Sequence, residues 1–451
     1  MKYRFAIHSH TLVRLLVALP AVLLFAVSCV NDYDNCTTPA SEHTADPVKL
    51  RFTIVTRTAM DNHTRQTRAA DISGEETGTA PENYLNLAGR DIRFLLFDGE
   101  QKLLREFTPD ADITVAEGSA NSNYVTYTVR ATIAEPYFAR AADGNLSFYI
   151  MVVANGKPYR QNAFALAPGT TTIKAIADQL VAFTLPTHTE LPDGSSIGWV
   201  PSQPGEADGE YIPMAGLQQF TLPQGAFNGN NGPEGFVELS PENGNKDINM
   251  LRALAKIEVI DKIDITDNLA NAPAGRVSVE KVELLGYCAT GTVLPAYGQW
   301  NRNGVLETQQ VEAPTMASSL AYRAPNSDYL ATNQNNALID FHQDKNATKS
   351  REDGCQVFSV YTTEYSLAAI GDAVRPYVRV TVQDPNGGNQ GSRLYQLRLA
   401  NYAGGTAEDD IDFLLRNHIY RYEITSVSSS IQVGYTVCPW DENRLDVPDF
   451  N

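Results

Sequence analysis

The sequence predicts an all-β protein in two domains, and three observations carry that expectation. Apolar side chains recur at period two in 48–55, 124–129 and 431–437, the spacing that puts one face of a strand into a core. Turn formers are abundant, with 24 Pro and 31 Gly punctuating the apolar runs. Helical spacing shows at one short place, Ile173, Ile176 and Leu180 within 172–183.

The elements follow in order. Val48, Leu50, Phe52 and Ile54 share one face of an opening strand. A polar stretch, 56–70, comes directly after it and carries Arg57, Arg65 and Arg68. Residues 92–97 read as a strand closed by an Asp98-Gly99 turn, with 102–107 as its return. The run 146–154 is almost continuously apolar and reads as a central strand ending in a turn at Asn155-Gly156. From 186 to 244 the chain is rich in Pro, Gly and Asn, with apolar islands at 211–216 and 236–239. The next strong segment starts at Leu251, so the domains divide at 249/250. Beyond it, strands are expected at 276–287, 357–361, 377–382, 394–399 and 415–424. The closing stripe places Ile431, Val433, Tyr435 and Val437 on one face, matching the period of the opening strand.

A chain of 451 residues can bury a core without disulfides, and its 43% apolar and 20% charged content is ordinary for a globular protein. The net charge of -18 argues against a nucleic-acid partner, because phosphate backbones are bound through clustered Lys and Arg. Residues 1–28 read as a targeting segment: Lys2, Arg4 and Arg14 precede an apolar run, 15–27, too short to span a bilayer. The five cysteines contain no Cys-x-x-Cys pair and no zinc spacing. Export would let Cys36 oxidise, and the spacing selects no partner for it.

Catalytic chemistry is weakly represented. Gly194-Ser195-Ser196-Ile197-Gly198 matches a nucleophile pattern, but Pro192-Asp193 precedes it and Pro201 follows, so it reads as a turn rather than a strand-to-helix elbow. The histidines show no ligand spacing, and the Asn/Gly runs 228–231 and 384–389 lack the acidic spacing of a calcium loop. No enzyme, metal or cofactor is expected.

Ala26-Val27-Ser28-Cys29 resembles a bacterial lipoprotein signal, in which Cys29 becomes the acylated first residue. Ala26 departs from the usual Leu, and the alternative is a chance cysteine beside an ordinary cleavage site. Together with the hairpin strand 92–99, Tyr149 to Asn155, Ile212 to Gly216, Arg252-Ala253-Leu254-Ala255-Lys256-Ile257, Arg416-Asn417-His418-Ile419-Tyr420 and Pro439-Trp440, this order of segments resembles the fimbrillin family of Bacteroidetes, the subunits of type V pili. The resemblance implies two β-sandwich domains with transthyretin-like Greek-key topology and few short helices. It divides the chain into a signal, 1–28, a lipidated prosegment with the first strand, 29–68, an N-terminal sandwich, 69–249, and a C-terminal sandwich, 250–451. It further implies export to the outer membrane and the extracellular fimbrium, with outer-membrane lipid, other pilus subunits, a trypsin-like Arg-specific protease and a host or bacterial surface receptor as partners.

Mapped onto these residues, the displaced strand is Val48, Leu50, Phe52 and Ile54, and the donor strand is Ile431, Val433, Tyr435 and Val437. The preferred cut follows Arg68, then Arg65, while Arg57 is close enough to the strand to be shielded by pairing. Four alternatives stay open: an ordinary surface linker with incidental arginines, an uncleaved anchor or accessory lipoprotein, a monomeric surface lipoprotein that binds glycan or a host ligand, and, last, an uncharacterised hydrolase.

Overall fold

The computed structural model describes residues 47–57, 80–117, 124–159, 164–179, 181–225, 235–263, 276–299, 322–324, 338–344, 356–371, 374–384, 391–403, 406–427 and 431–439. They form four principal sheets, with helix confined to Ile173–Asp178 and short 3-10 turns among the described residues. The fold class is all-β, as the alternating runs require.

The first sheet is ordered Val237–Leu239, Val48–Arg57, Tyr124–Ile133, Thr114–Glu117, with Ile248–Asn249 also paired to the opening strand. The second runs Leu251–Arg252, Met214–Leu222, Leu146–Ala154, Ile92–Phe97, Leu103–Phe107. They stack face to face: the Phe52 ring of the first sheet lies 6.2 Å from Phe94 and 6.1 Å from Phe220 of the second. Leu146–Ala154 is the middle strand and is buried on both faces for most of its length, which explains its unbroken apolar run.

The Ile92–Phe97 strand turns at Asp98-Gly99 and returns through Leu103–Phe107, as its sequence suggests. Asp98 organises the turn: its carboxylate accepts the Glu100 and Lys102 N–H groups at 2.9 Å each. Gln101 takes the left-handed conformation, φ 65°. The register shifts between Leu96, opposite Arg105, and Phe97, opposite Leu103, which leaves Leu104 as a bulge on the return strand.

The third sheet is His342–Asp344, Gln356–Thr363, Leu254–Asp261, His418–Val427, Ile431–Pro439, and the fourth Leu338–Asp340, Ser278–Leu285, Tyr377–Gln383, Ser392–Arg398. Leu254–Asp261 is buried at every position and sits in the centre of its sheet. Val378, Val380 and Val382 are buried while Arg379 and Thr381 are half-exposed, so the fourth sheet has one core face and one wet face.

The chain changes sheets at Ala253. Leu251–Arg252 still pairs with Met214–Ala215, whereas Leu254 onward pairs in the third sheet. A short strand pair also bridges the two sets of sheets, Ala182–Thr184 against Thr290–Thr292. Two buried arginines hold this junction. Arg252 donates Nε to the Glu82 carbonyl at 2.9 Å, Nη1 to Asn417 Oδ1 at 3.2 Å, and Nη2 to Asn83 Oδ1. Arg416 pairs with Glu364 at 3.0 Å and donates to the Val293 and Thr292 carbonyls at 2.9 and 3.0 Å. Such charges are tolerable inside only because every one of these donors meets an oxygen.

Candidate functional site

The opening strand occupies an interior place in its sheet. All ten of its residues pair antiparallel with Tyr124–Ile133, from Val48 opposite Ile133 to Arg57 opposite Tyr124. On its other side Leu50 to Phe52 pair parallel with Val237–Leu239, and Ile54 and Val55 pair with Ile248–Asn249. Val48, Leu50, Phe52 and Ile54 are between 0 and 3% exposed, whereas Lys49 is exposed and Arg51 and Thr53 are half-buried. This is the stripe read from the sequence, two residues longer than expected because Thr56 and Arg57 remain in the ladder.

Taking the strand away would therefore leave a trough between Tyr124–Ile133 on one side and the two short strands on the other, floored by apolar side chains of the second sheet. Its outer rim is charged. Arg51 pairs with Glu238 at 3.0 Å, and Lys49 and Arg130 both stand over the Phe236 ring at 5.6 Å. Beyond Arg51 to Glu238, the rim contacts are cation-π pairs on a buried Phe236 ring, with Lys49 exposed and Arg130 half-buried, each worth about 0.5–2 kcal/mol. The floor holds the strand more firmly than the rim does.

The strand's far end is polar and buried. Thr56 Oγ1 donates to the Asn83 carbonyl at 2.7 Å, and the Tyr127 hydroxyl donates to the same oxygen at 2.9 Å while accepting the Leu85 N–H at 3.1 Å. Burial holds the Tyr127 phenol well above its ordinary value, so it stays protonated and able to donate. Sequence reading missed this end. Thr56 breaks the apolar stripe, and Ile248–Asn249 is too short to show any period.

The closing strand Ile431–Pro439 sits in a different sheet and, among the described residues, lies at its edge with one paired neighbour. Val437 lies opposite Tyr420, Tyr435 opposite Tyr422, Val433 opposite Ile424 and Ile431 opposite Val427. Val433 is buried and Ile431 half-buried. The two apolar stripes do not pair with each other. Arg57 is locked in the ladder opposite Tyr124. Cys29, Cys36, Arg65, Arg68 and the residues after Pro439 lie outside the described residues.

Elsewhere, the Gly-x-Ser-x-Gly stretch covers the end of the turn and the return strand of a hairpin, His188–Glu190 with Ser196–Gly198, where Ser195 donates to Asp193 at 2.6 Å. Two surface hollows of about 370 and 870 Å³ are lined by side chains already engaged with one another, as in Arg398 to Asp410 at 2.6 Å and Trp199 to Glu210 at 3.0 Å. Among the described residues no group of three or more His, Cys, Asp or Glu is placed to hold a metal ion, and no helix is long and apolar enough to cross a membrane.

No family model matches the chain, and no curated protein matches it. Among solved structures, it is similar to the C-terminally truncated tip fimbrial protein Mfa3 of Porphyromonas gingivalis, at 13% identity and a TM-score of 0.41, covering 87% of this chain and 100% of that one. It is also similar to a fimbrial assembly protein of Parabacteroides distasonis, at 14% identity and a TM-score of 0.40, covering 87% and 100%. A fimbrilin of Porphyromonas gingivalis is similar at 11% identity and a TM-score of 0.36, covering 86% of this chain and 97% of that one.

Proposed function

We propose that this chain is a structural subunit of a surface fimbria, exported as a lipoprotein precursor acylated at Cys29, matured by cleavage after Arg68 or Arg65, and polymerised by β-strand exchange in the service of adhesion. Its domains are the signal, 1–28, the prosegment, 29–68, and two sandwiches, 69–249 and 250–451. Its partners are other subunits of the fibre, outer-membrane lipid before maturation, an Arg-specific trypsin-like protease, and a surface receptor. The observation that carries this reading is the interior position of Val48–Arg57, paired on both sides and lying directly upstream of the Arg-bearing linker.

The physics favours exchange over simple loss. Four fully buried apolar side chains at about 1.5–3 kcal/mol each hold the severed strand by on the order of 6–12 kcal/mol, before any ladder hydrogen bond is counted. Cutting the linker alone leaves the strand seated. A competing strand with its own apolar stripe offers the trough the same burial and the same hydrogen bonds, and Ile431, Val433, Tyr435 and Val437 supply such a stripe. A tail that fills a neighbour's trough makes a head-to-tail contact that does not close, which produces a filament.

The test is limited trypsin treatment of the purified precursor, followed by mass spectrometry and size exclusion. The expected product begins at Ala69 or, after the Arg65 cut, at Gln66, keeps 48–57 bound while monomeric, and converts to higher oligomers as that peptide is lost. A cut chain that unfolds, or that stays monomeric after losing the peptide, overturns the reading.

A further inference from the structure

The buried end of the opening strand is joined to the junction between the two sets of sheets by two separate connections. The first runs through the 3-10 turn Pro81–Asn83. Thr56 donates to the Asn83 carbonyl, while the side chain of the same Asn83 accepts from Arg252. Its neighbour Glu82 accepts Arg252 Nε through its carbonyl at 2.9 Å, and its carboxylate receives Lys256 Nζ at 2.6 Å and the Tyr361 hydroxyl at 2.5 Å. Lys256 and Tyr361 belong to the third sheet. The second connection is the chain itself: Ile54 and Val55 pair with Ile248–Asn249, the Met250 N–H donates to the Val55 carbonyl at 2.9 Å, and the next residues are Leu251–Arg252 and then the third sheet.

All of Thr56, Asn83, Glu82, Arg252, Lys256 and Tyr361 are buried, between 0 and 6% exposed. Water cannot replace a lost partner there without entering the core, so each bond is worth more than its surface counterpart.

From this we infer that Thr56 is a positioning residue that couples the opening strand to the sheet junction, so that the strand at this place sets how firmly the junction is held. The hydroxyl at position 56 fixes the Asn83 carbonyl, and Asn83 and Glu82 fix Arg252 and Lys256. A strand that fills the apolar part of the trough but brings no hydroxyl to this end takes the Thr56 donor away from the Asn83 carbonyl. Such a strand restores the sheet and leaves the junction looser. The coupling acts in the intact chain and needs no exchange, so it can fail or hold independently of the polymerisation reading.

The experiment is amide hydrogen exchange of the full-length protein by mass spectrometry, comparing wild type with Thr56→Val, Thr56→Ser and Thr53→Val. Thr56→Val keeps the branched shape and removes the donor, and it should speed exchange about tenfold in peptides covering 81–87, 250–256 and 415–419. Thr56→Ser restores wild-type protection, and Thr53→Val, on the other face of the strand, leaves those peptides unchanged. Where Thr56→Val fails to fold, Tyr127→Phe removes the other hydroxyl from the same carbonyl and should speed the same peptides. Coupling is reciprocal, so Lys256→Met should in turn speed exchange across 48–57 more than in the hairpin 377–398. Acceleration confined to 48–57 and 124–133, or equal acceleration everywhere including 377–398, overturns the proposal.

Discussion

Lys256 Nζ stands 2.6 Å from Glu82 Oε1, with 6 and 7% of the two side chains exposed, and the same ammonium lies 3.2 Å from Glu258 Oε1. One cation thus serves two buried carboxylates. Glu258 has a second partner in Arg421 at 3.1 Å, and Glu82 has the Tyr361 hydroxyl.

Removing the cation alone strands charge in the core. Lys256→Met should lower stability in urea by about 3–5 kcal/mol. The double substitution Lys256→Met with Glu82→Gln should be less damaging than the sum of the singles, since the neutral amide can still accept from Tyr361. Strict additivity would show that the two side chains do not interact.

Phe52 carries the opening strand's largest buried ring, wedged between Phe94 and Phe220. Phe52→Ala should cost about 3–5 kcal/mol in the uncut chain, against less than about 1 kcal/mol for Thr53→Ala on the wet face. Thermal melts of both variants check the contrast.

Glu283 governs part of the acid response. Burial pushes its carboxyl up, but hydrogen bonds from Arg379 at 2.6 Å and Lys281 at 2.8 Å outweigh burial and hold it below its ordinary 4.5. A depressed carboxyl contributes stability that is present above the unfolded-state value and lost as pH falls through the folded one. Glu283→Gln should therefore flatten the fall in melting temperature below about pH 4.5 relative to wild type. An unchanged acid limb would remove Glu283 from the account.

Cys288 is fully buried, and burial pushes its thiol up to about 12. Native protein at pH 8 should leave this cysteine unmodified by iodoacetamide over hours, while urea-unfolded protein should modify it within minutes. Peptide mass spectrometry distinguishes the two.

Much of the scaffold is legible in the sequence because one-sided and two-sided burial write different patterns. Residues 48–54 alternate since one face is the more exposed, and 146–154 do not since both faces are largely buried. The junction is illegible for the opposite reason. Arg252 and Arg416 look like ordinary strand-end charges, and their partners are 165 to 170 residues away for Arg252 and 123 for the Arg416 bond to Val293. Asn155 is similar: it ends a strand at φ 64°, as its sequence context suggests. Yet its side chain ties together Asn86, Tyr84 and Ile212, at 2.9, 3.1 and 2.7 Å, which no local pattern announces. The trough itself is half legible. Its apolar stripe is periodic, while the two short parallel strands that complete it, Val237–Leu239 and Ile248–Asn249, are too brief to carry a period.

Those two short strands also impose an order of events. Arg51 meets Glu238 across 187 residues of chain, and parallel pairing at that separation is slow to form. As the polypeptide emerges from its amino end, the Tyr124–Ile133 partner arrives first and the other flank of the opening strand stays bare until residues 237–249 follow. For that interval the strand is an unfinished edge, open to stray pairing and to proteases alike. The last segment to seal it is the one that leads into Arg252, so the first strand is closed in only as the junction takes shape.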